Sequence, residues 1–252
     1  MAVFSPALLA ACGSDGTTAA GSTTTTTSAE TTTSTPSTTT PASDESIPET
    51  TIGVAGDDLR WGRTNLGFVS AYVLARGNKA AIVDTGTEGS ADAIGRTLVS
   101  LGLTYNDVDH LVLTHRHGDH AGSTGAVMEQ AVNATVYAGE ADLSGIDYDT
   151  ITGLTGGEDI FGFEALATPG HTDGHMAVID HTAGLLVAGD AIFIDGDDVI
   201  EGPERFFTDV AQSRDTIRQL AQLSFNTLLV GHGEPIEDGA DAALATLASS
   251  LG

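Results

Sequence analysis

Cysteine, lysine and long apolar runs are all but missing from these 252 residues. The one cysteine, Cys12, excludes an intramolecular disulfide and any cysteine-based zinc site. Lys79 is the one lysine, and nine basic residues in all face 35 acidic ones, for a formal charge of −26. So cation-poor a chain has little with which to displace counterions from a phosphate backbone, which argues against nucleic acid as a partner. It is also ill suited to anionic lipid headgroups. Acidity of this kind serves solubility or a salty medium and says little about fold. No segment reaches the ~20 apolar residues that a membrane-spanning helix needs.

What is present divides into three parts. Residues 1–12, MAVFSPALLAAC, are a short apolar run closing on Cys12. They resemble a bacterial lipoprotein signal, where cleavage before the cysteine frees it for lipidation. No Lys or Arg precedes the run and the run is short, two departures that a start codon placed too far downstream would explain. Residues 13–50 are dominated by Thr and Ser, with too little apolar surface to offset the entropy of ordering. They read as a disordered tether whose Ser/Thr/Pro make-up suits O-glycosylation. The two features together imply an extracytoplasmic domain held to the cell membrane through a lipidated Cys12. Residues 51–252 have globular composition and form that domain.

Within it, Phe68–Leu74 and Ala80–Val83 read as strands separated by the turn Arg76-Gly77-Asn78. Residues 90–102 carry Ile94, Leu98 and Leu101 at helical spacing, with Ser90 placed to cap and Gly102 to terminate. Strands are expected at His110–Leu113, Ala134–Tyr137, Glu164–Ala167, Ala177–Asp180, Leu185–Ala188 and Thr227–Val230. Helices are expected at Gly122–Val132, from a Thr208 cap to Leu223, and at Gly239–Ser250. Alternating strands and helices with hairpins between them indicate an α/β fold with mixed sheets.

The densest chemistry lies in LTHRHGDHAG, residues 113–122, which holds His115, His117, Asp119 and His120 although the chain has only eight histidines. On a helix, positions 115 and 117 would point nearly opposite ways, so this is not a zinc-binding helix of the HExxH kind. On an extended backbone His115, His117 and Asp119 share a side, and Gly118 permits the turn that brings His120 round. Imidazole and carboxylate are zinc ligands. The other apolar strands end in the same way: FEALATPG in His171, LLVAG in Asp190, TLLVG in His232 and AAIV in Asp84. Strands lying side by side would gather these ends at one edge, the usual place for a site in α/β sheets. His115, His117, Asp119, His120, His171, Asp190 and His232 are about the number of ligands that two metal ions need. His175, four residues beyond His171, is a rival for its place.

With HRHGDH, TPGHT, AGD and GHG in hand, the chain from residue 51 onward resembles the metallo-β-lactamase-fold hydrolases. That likeness implies a four-layer αβ/βα sandwich, two mixed β-sheets face to face with helices outside. It implies two zinc ions, with iron or manganese as other occupants: one held by His115, His117 and His171, one by Asp119, His120 and His232, with Asp190 bridging. Asp84 would brace the metal loop without being a ligand. Two such ions, two carboxylates and a hydroxide leave a core of about +1, suited to an oxyanion forming at a small-molecule carbonyl. Asp119 would orient the hydroxide and take its proton.

The resemblance also narrows the substrate. β-Lactamases of this fold usually lack an aspartate at the bridging position, so Asp190 beside His120 points to the glyoxalase II and lactonase branch, acting on a thioester, ester or lactone. Few residues follow GHGEP, too few for the helical domain with which glyoxalase II binds its glutathione thioester, and an extracytoplasmic place suits a diffusible lactone. Two alternatives remain open, a β-lactam hydrolase and a persulfide dioxygenase with a single iron. Arg116 would reach a substrate carboxylate or pair with local acids, and Phe206 and Phe207 would line the pocket or the core.

Overall fold

Two sheets, built largely from the apolar runs just described, carry the architecture. The computed structural model describes residues 50–56 and 58–251. The lipoprotein-like segment 1–12 and all of the tether except Thr50 lie outside the described residues. The first sheet has seven strands in sequential order: β1 (Thr50–Ala55), β2 (Leu59–Asn65), β3 (Ser70–Arg76), β4 (Lys79–Val83), β5 (Val108–Leu113), β6 (Thr135–Gly139) and β7 (Ile151–Leu154). The first four meander antiparallel, and β4 to β7 run parallel. The second sheet has the order β14 (Thr227–Val230), β11 (Leu185–Gly189), β10 (Met176–Asp180), β9 (Phe163–Ala167), β8 (Asp159–Ile160). In it only β14 and β11 are parallel. β12 (Phe193–Asp195) and β13 (Asp198–Ile200) form a separate hairpin.

Three apolar layers hold these sheets. Leu59, Trp61, Leu74, Phe163, Met176 and Leu229 meet between them. On the outer face of the first sheet, α1 (Ala91–Ser100) and α3 (Thr124–Gln130) set Ile94, Leu98 and Val127 against Ile82, Leu111 and Val136. On the outer face of the second, α4 (Val210–Leu220) and α5 (Ala240–Ser250) bury Ile217, Leu220 and Leu244 against Leu186, Leu228 and Val230. The result is the four-layer sandwich, helices outside and sheets within, that the resemblance implied. Its parallel strands β4 and β5 and its co-directional β9, β11 and β14 send their C-terminal ends to the edge where the histidines and aspartates sit.

Local departures have local causes. β1 and β2 (TTIGVA, LRWGRTN) look too polar for strands, yet Leu59 and Trp61 are fully buried between the sheets. Gly53 makes room for the indole, since a Cβ there would lie 2.2 Å from it. The helix expected at Gly122–Val132 spans only Thr124–Gln130, because the residues just before it close a separate helical turn, α2 (Gly118–Ala121). Asp209, rather than Thr208, caps α4 by accepting the Gln212 N–H at 3.0 Å, while the Thr208 hydroxyl donates to the Gly170 carbonyl. Ser90 does stand at the start of α1, but its side chain makes no cap bond; its N–H donates to Ser123 Oγ instead. Trp61→Ala would open a cavity between the sheets, and chemical denaturation should show a loss of about 3–5 kcal/mol.

Candidate metal centre

The seven residues singled out in the sequence converge. His115 and His117 follow the end of β5, Asp119 and His120 sit on α2, His171 follows β9, Asp190 follows β11 and His232 follows β14. The extended backbone expected through Asp119 stops at His117 (φ −65, ψ 146), where the chain turns into α2. Asp119 and His120 are therefore neighbours on a helical turn, which aims both inward. All seven are buried except His117, which is partly exposed.

Their donor atoms fall into three overlapping groups, each within 4.8 Å: His115, His117 and His171; Asp119, His120 and His232; and His115, His120 and Asp190. In the first, His117 Nδ1 lies 3.0 Å from His115 Nε2 and 2.9 Å from His171 Nε2. In the second, Asp119 Oδ2 is 3.5 Å from His232 Nε2 and 3.9 Å from His120 Nε2. Asp190 stands between the two. Its Oδ2 is 3.4 Å from His171 and 3.3 Å from His232, and its Oδ1 is 3.2 Å from His120.

The outward ring atoms of several histidines are already engaged, which leaves their inner nitrogens to face the centre. His120 Nδ1 donates to Asp84 Oδ2 at 2.7 Å, and His232 Nδ1 to the Phe68 carbonyl at 2.6 Å. His115 Nδ1 meets Thr114 Oγ1, whose hydroxyl donates to Asp84. Asp84 thus braces two histidines from outside the cluster, and it holds a left-handed backbone (φ 63) to do so. His175, the rival to His171, is spoken for at both ring atoms: Nε2 accepts the Asp190 N–H at 3.0 Å and Nδ1 bonds Thr168 Oγ1 at 2.7 Å. It fixes the backbone of Asp190 instead of joining the cluster.

The electrostatics favour a cation. Burial pushes the His115 and His117 imidazoles below their ordinary range, and takes His171 and His175 down to about 3, so all four are neutral. For His120 and His232 burial also acts downward, but the Asp190 carboxylate, joined at His120 by Asp84, overrides it and raises both. Burial would protonate Asp190, yet His120, His232 and His171 hold it well below the usual carboxylate range. The centre therefore pairs a buried anion with protons that divalent metal would replace. Asp190 Oδ1 and His171 Nδ1 are buried without a hydrogen bond of acceptable geometry, and an unmet carboxylate oxygen is a fit for a metal ligand. Close approach is secured by Gly231, where a Cβ would sit 2.2 Å from Asp190 Oδ1.

One contributor has no counterpart in the sequence reasoning. Asp142, wholly buried in the 3-10 turn Glu140–Gly145 just after β6, ties both first-set loops together. It accepts the Arg116 N–H at 3.0 Å and the Arg116 guanidinium from the 115–120 loop. From the 171–175 loop it accepts the Thr172 hydroxyl at 2.6 Å and the Gly174 N–H at 3.1 Å. Arg116 is therefore a partner of Asp142, the local-acid pairing of the two expected roles. At β6 the strand-end regularity marks Glu140, which directly follows Gly139, and so passes over Asp142. Asp142→Asn weakens the brace on both loops. Zinc titration against a chromophoric chelator should show affinity falling about 10-fold or more, with a lower melting temperature in the metal-free protein.

Comparison with known proteins agrees with this geometry. The family model for the metallo-beta-lactamase superfamily matches residues 64–232. The chain is 29% identical over 197 residues to YobT, an uncharacterized protein of Bacillus subtilis, covering 66% of this chain and 83% of that one. It is 32% identical over 152 residues to the hydroxyacylglutathione hydrolase of Thermosynechococcus vestitus, covering 59% of this chain and 56% of the enzyme. It therefore spans little more than half the length of that enzyme. Among solved structures it resembles a metallo-beta-lactamase family protein of Thermus thermophilus, with 25% identity, a TM-score of 0.58, and coverage of 72% and 73% of the two chains. The chain belongs to the metallo-beta-lactamase superfamily and has its fold.

Proposed function

We propose that the domain is a dinuclear zinc hydrolase that opens an ester-, thioester- or lactone-type carbonyl of a small molecule. The observation that carries this reading is Asp190: one buried carboxylate whose oxygens face His171 and His232 at once, with His120 on its other oxygen. A carboxylate so placed serves two ions. His115, His117 and His171 would hold one, and Asp119, His120 and His232 the other. Bound there, a zinc pair supplies a hydroxide at neutral pH and polarises a carbonyl.

The remaining work falls to side chains. Asp119 Oδ2, 3.5 Å from His232 Nε2, would orient the nucleophile and accept its proton. Asp84 keeps the His120 imidazole in one tautomer and one orientation, and the Phe68 carbonyl does the same for His232. His175 holds the Asp190 backbone, which fixes where its carboxylate oxygens stand. The intact Asp190 and His120 favour thioester, ester or lactone over β-lactam, and the matched relative named hydroxyacylglutathione hydrolase supports the thioester side of that choice.

The domain acts outside the cytoplasm, joined to the membrane by the lipidated Cys12 and the Thr/Ser tether. Cys12→Ser should move the protein from the membrane fraction to the soluble fraction of its host. Elemental analysis of active protein should find close to two zinc per chain, and chelation should abolish turnover on a panel of lactones, thioesters and esters, with zinc restoring it. His120→Ala should cut kcat by about 100-fold or more. One iron per chain with oxygen consumption on a persulfide would overturn the hydrolase reading, and full activity of His120→Ala would overturn its two-metal mechanism.

A further inference from the structure

We infer that the group a substrate presents beside the reacting carbonyl is apolar and uncharged, an aliphatic acyl chain or an aryl ring, seated between Phe207, Phe193 and Phe68. The inference rests on the hydrolase reading above and specifies its substrate. Its basis is a collar of three rings set directly on the candidate ligands. Phe193 stacks on the His232 imidazole at 5.3 Å and 5°, and Phe68 lies parallel to the same ring at 6.2 Å and 14°. Phe207 meets His171 edge-on at 5.5 Å and Phe193 edge-on at 6.5 Å. One aromatic wall therefore reaches from the first ligand set to the second.

The placement is built in. Phe193 precedes Ile194, whose N–H donates to the His232 carbonyl at 3.1 Å, and Phe207 precedes Thr208, whose N–H donates to the His171 carbonyl at 3.2 Å. Each ring is thus indexed to the backbone of the histidine it touches. The segment between them is tied down by Arg214, which bonds both oxygens of Glu201 at 2.8 and 3.1 Å and Glu204 at 3.1 Å. Gly202 packs on Phe193, where a Cβ would come within 2.4 Å of the ring. Phe193 is buried, whereas Phe68, Phe207 and His117 keep partial exposure, so the collar opens to solvent beside the ligands.

The charges around the site point the same way. Arg116 is committed to Asp142, and Arg63 to Glu234, the Gly233 carbonyl and Ser70. Arg205, the cation on the collar segment, lies over the Phe206 ring at 4.3 Å beside Glu204. With a chain charge of −26 around them, these rings disfavour a substrate tail that carries carboxylates. An alkyl or aryl tail gains by leaving water, at roughly 25 cal/mol per Å² of apolar surface.

The zinc-loaded full chain should be assayed on p-nitrophenyl esters of butyrate, hexanoate and octanoate, and on a half-ester of a dicarboxylic acid of matched length. kcat/KM should rise with chain length, by up to about 4-fold per methylene, and fall at least 10-fold for the half-ester. Phe207→Ala should flatten the length dependence of kcat/KM, chiefly through KM, and Phe207→Leu should restore part of it. Binding of neutral methyl ketones of the same lengths, followed by calorimetry, should tighten with length and show a negative heat-capacity change. Turnover without length dependence, or preference for the half-ester lost in Arg205→Ala, would overturn the inference and leave the hydrolase reading standing. If no ester, lactone or thioester is turned over, the hydrolase reading fails, and length-independent ketone binding would then sink the collar as well.

Discussion

A carboxylate buried among imidazoles is the constraint on which the rest of this structure depends. Asp190 is 3% exposed, and an ion of that kind is tolerated in an interior only when opposite charge surrounds it. Here it sits within 3.4 Å of nitrogens from His120, His171 and His232, which come from three separate chain segments. Satisfying one side chain therefore requires the ends of β9, β11 and β14 and the turn α2 to meet at one place. Both sheets contribute, so the site and the sandwich are specified together. Gly231 belongs to the same constraint, because any side chain there would displace the carboxylate or His120.

Around this centre lies a set of braces, each of which fixes a candidate ligand from outside the cluster. Asp84 and Thr114 hold His115 and His120, the Phe68 carbonyl holds His232, and His175 holds the backbone of Asp190. Asp142 joins the two loops of the first set. On the far side of the His171 loop, the Thr216 hydroxyl at 2.7 Å and the N–H groups of Thr208 and Asp209 bond the carbonyls of Pro169, His171 and Gly170. Loop residues acquire fixed geometry here because their backbone polar groups are nearly all assigned. That rigidity is what a metal site needs if coordination is to cost little reorganisation.

Much of this was legible beforehand, for a physical reason. Strands buried on both faces are continuous apolar runs, and a polar residue at the end of such a run is conspicuous. Hence β5, β9, β11 and β14 and the candidate ligands behind them could be read directly. β1 and β2 could not, because their burial depends on Trp61 and Leu59 finding the facing sheet, and their own pattern is polar and glycine-containing. The switch from extended chain to helical turn at His117 was equally hidden. One residue's backbone angle decided it, and Gly118 accepts either course.

The sequence by itself determined the candidate ligand types, their order and the strands that deliver them, since residue chemistry and hydrophobic periodicity are local properties. Tertiary structure decided everything that rests on who stands next to whom. It separated His171 from His175 by giving the latter two hydrogen-bond partners. It turned Arg116 toward Asp142, and it set Phe193 and Phe207 on the imidazoles of His232 and His171. These choices lie in contacts between residues far apart along the chain, and no local pattern encodes such a distance.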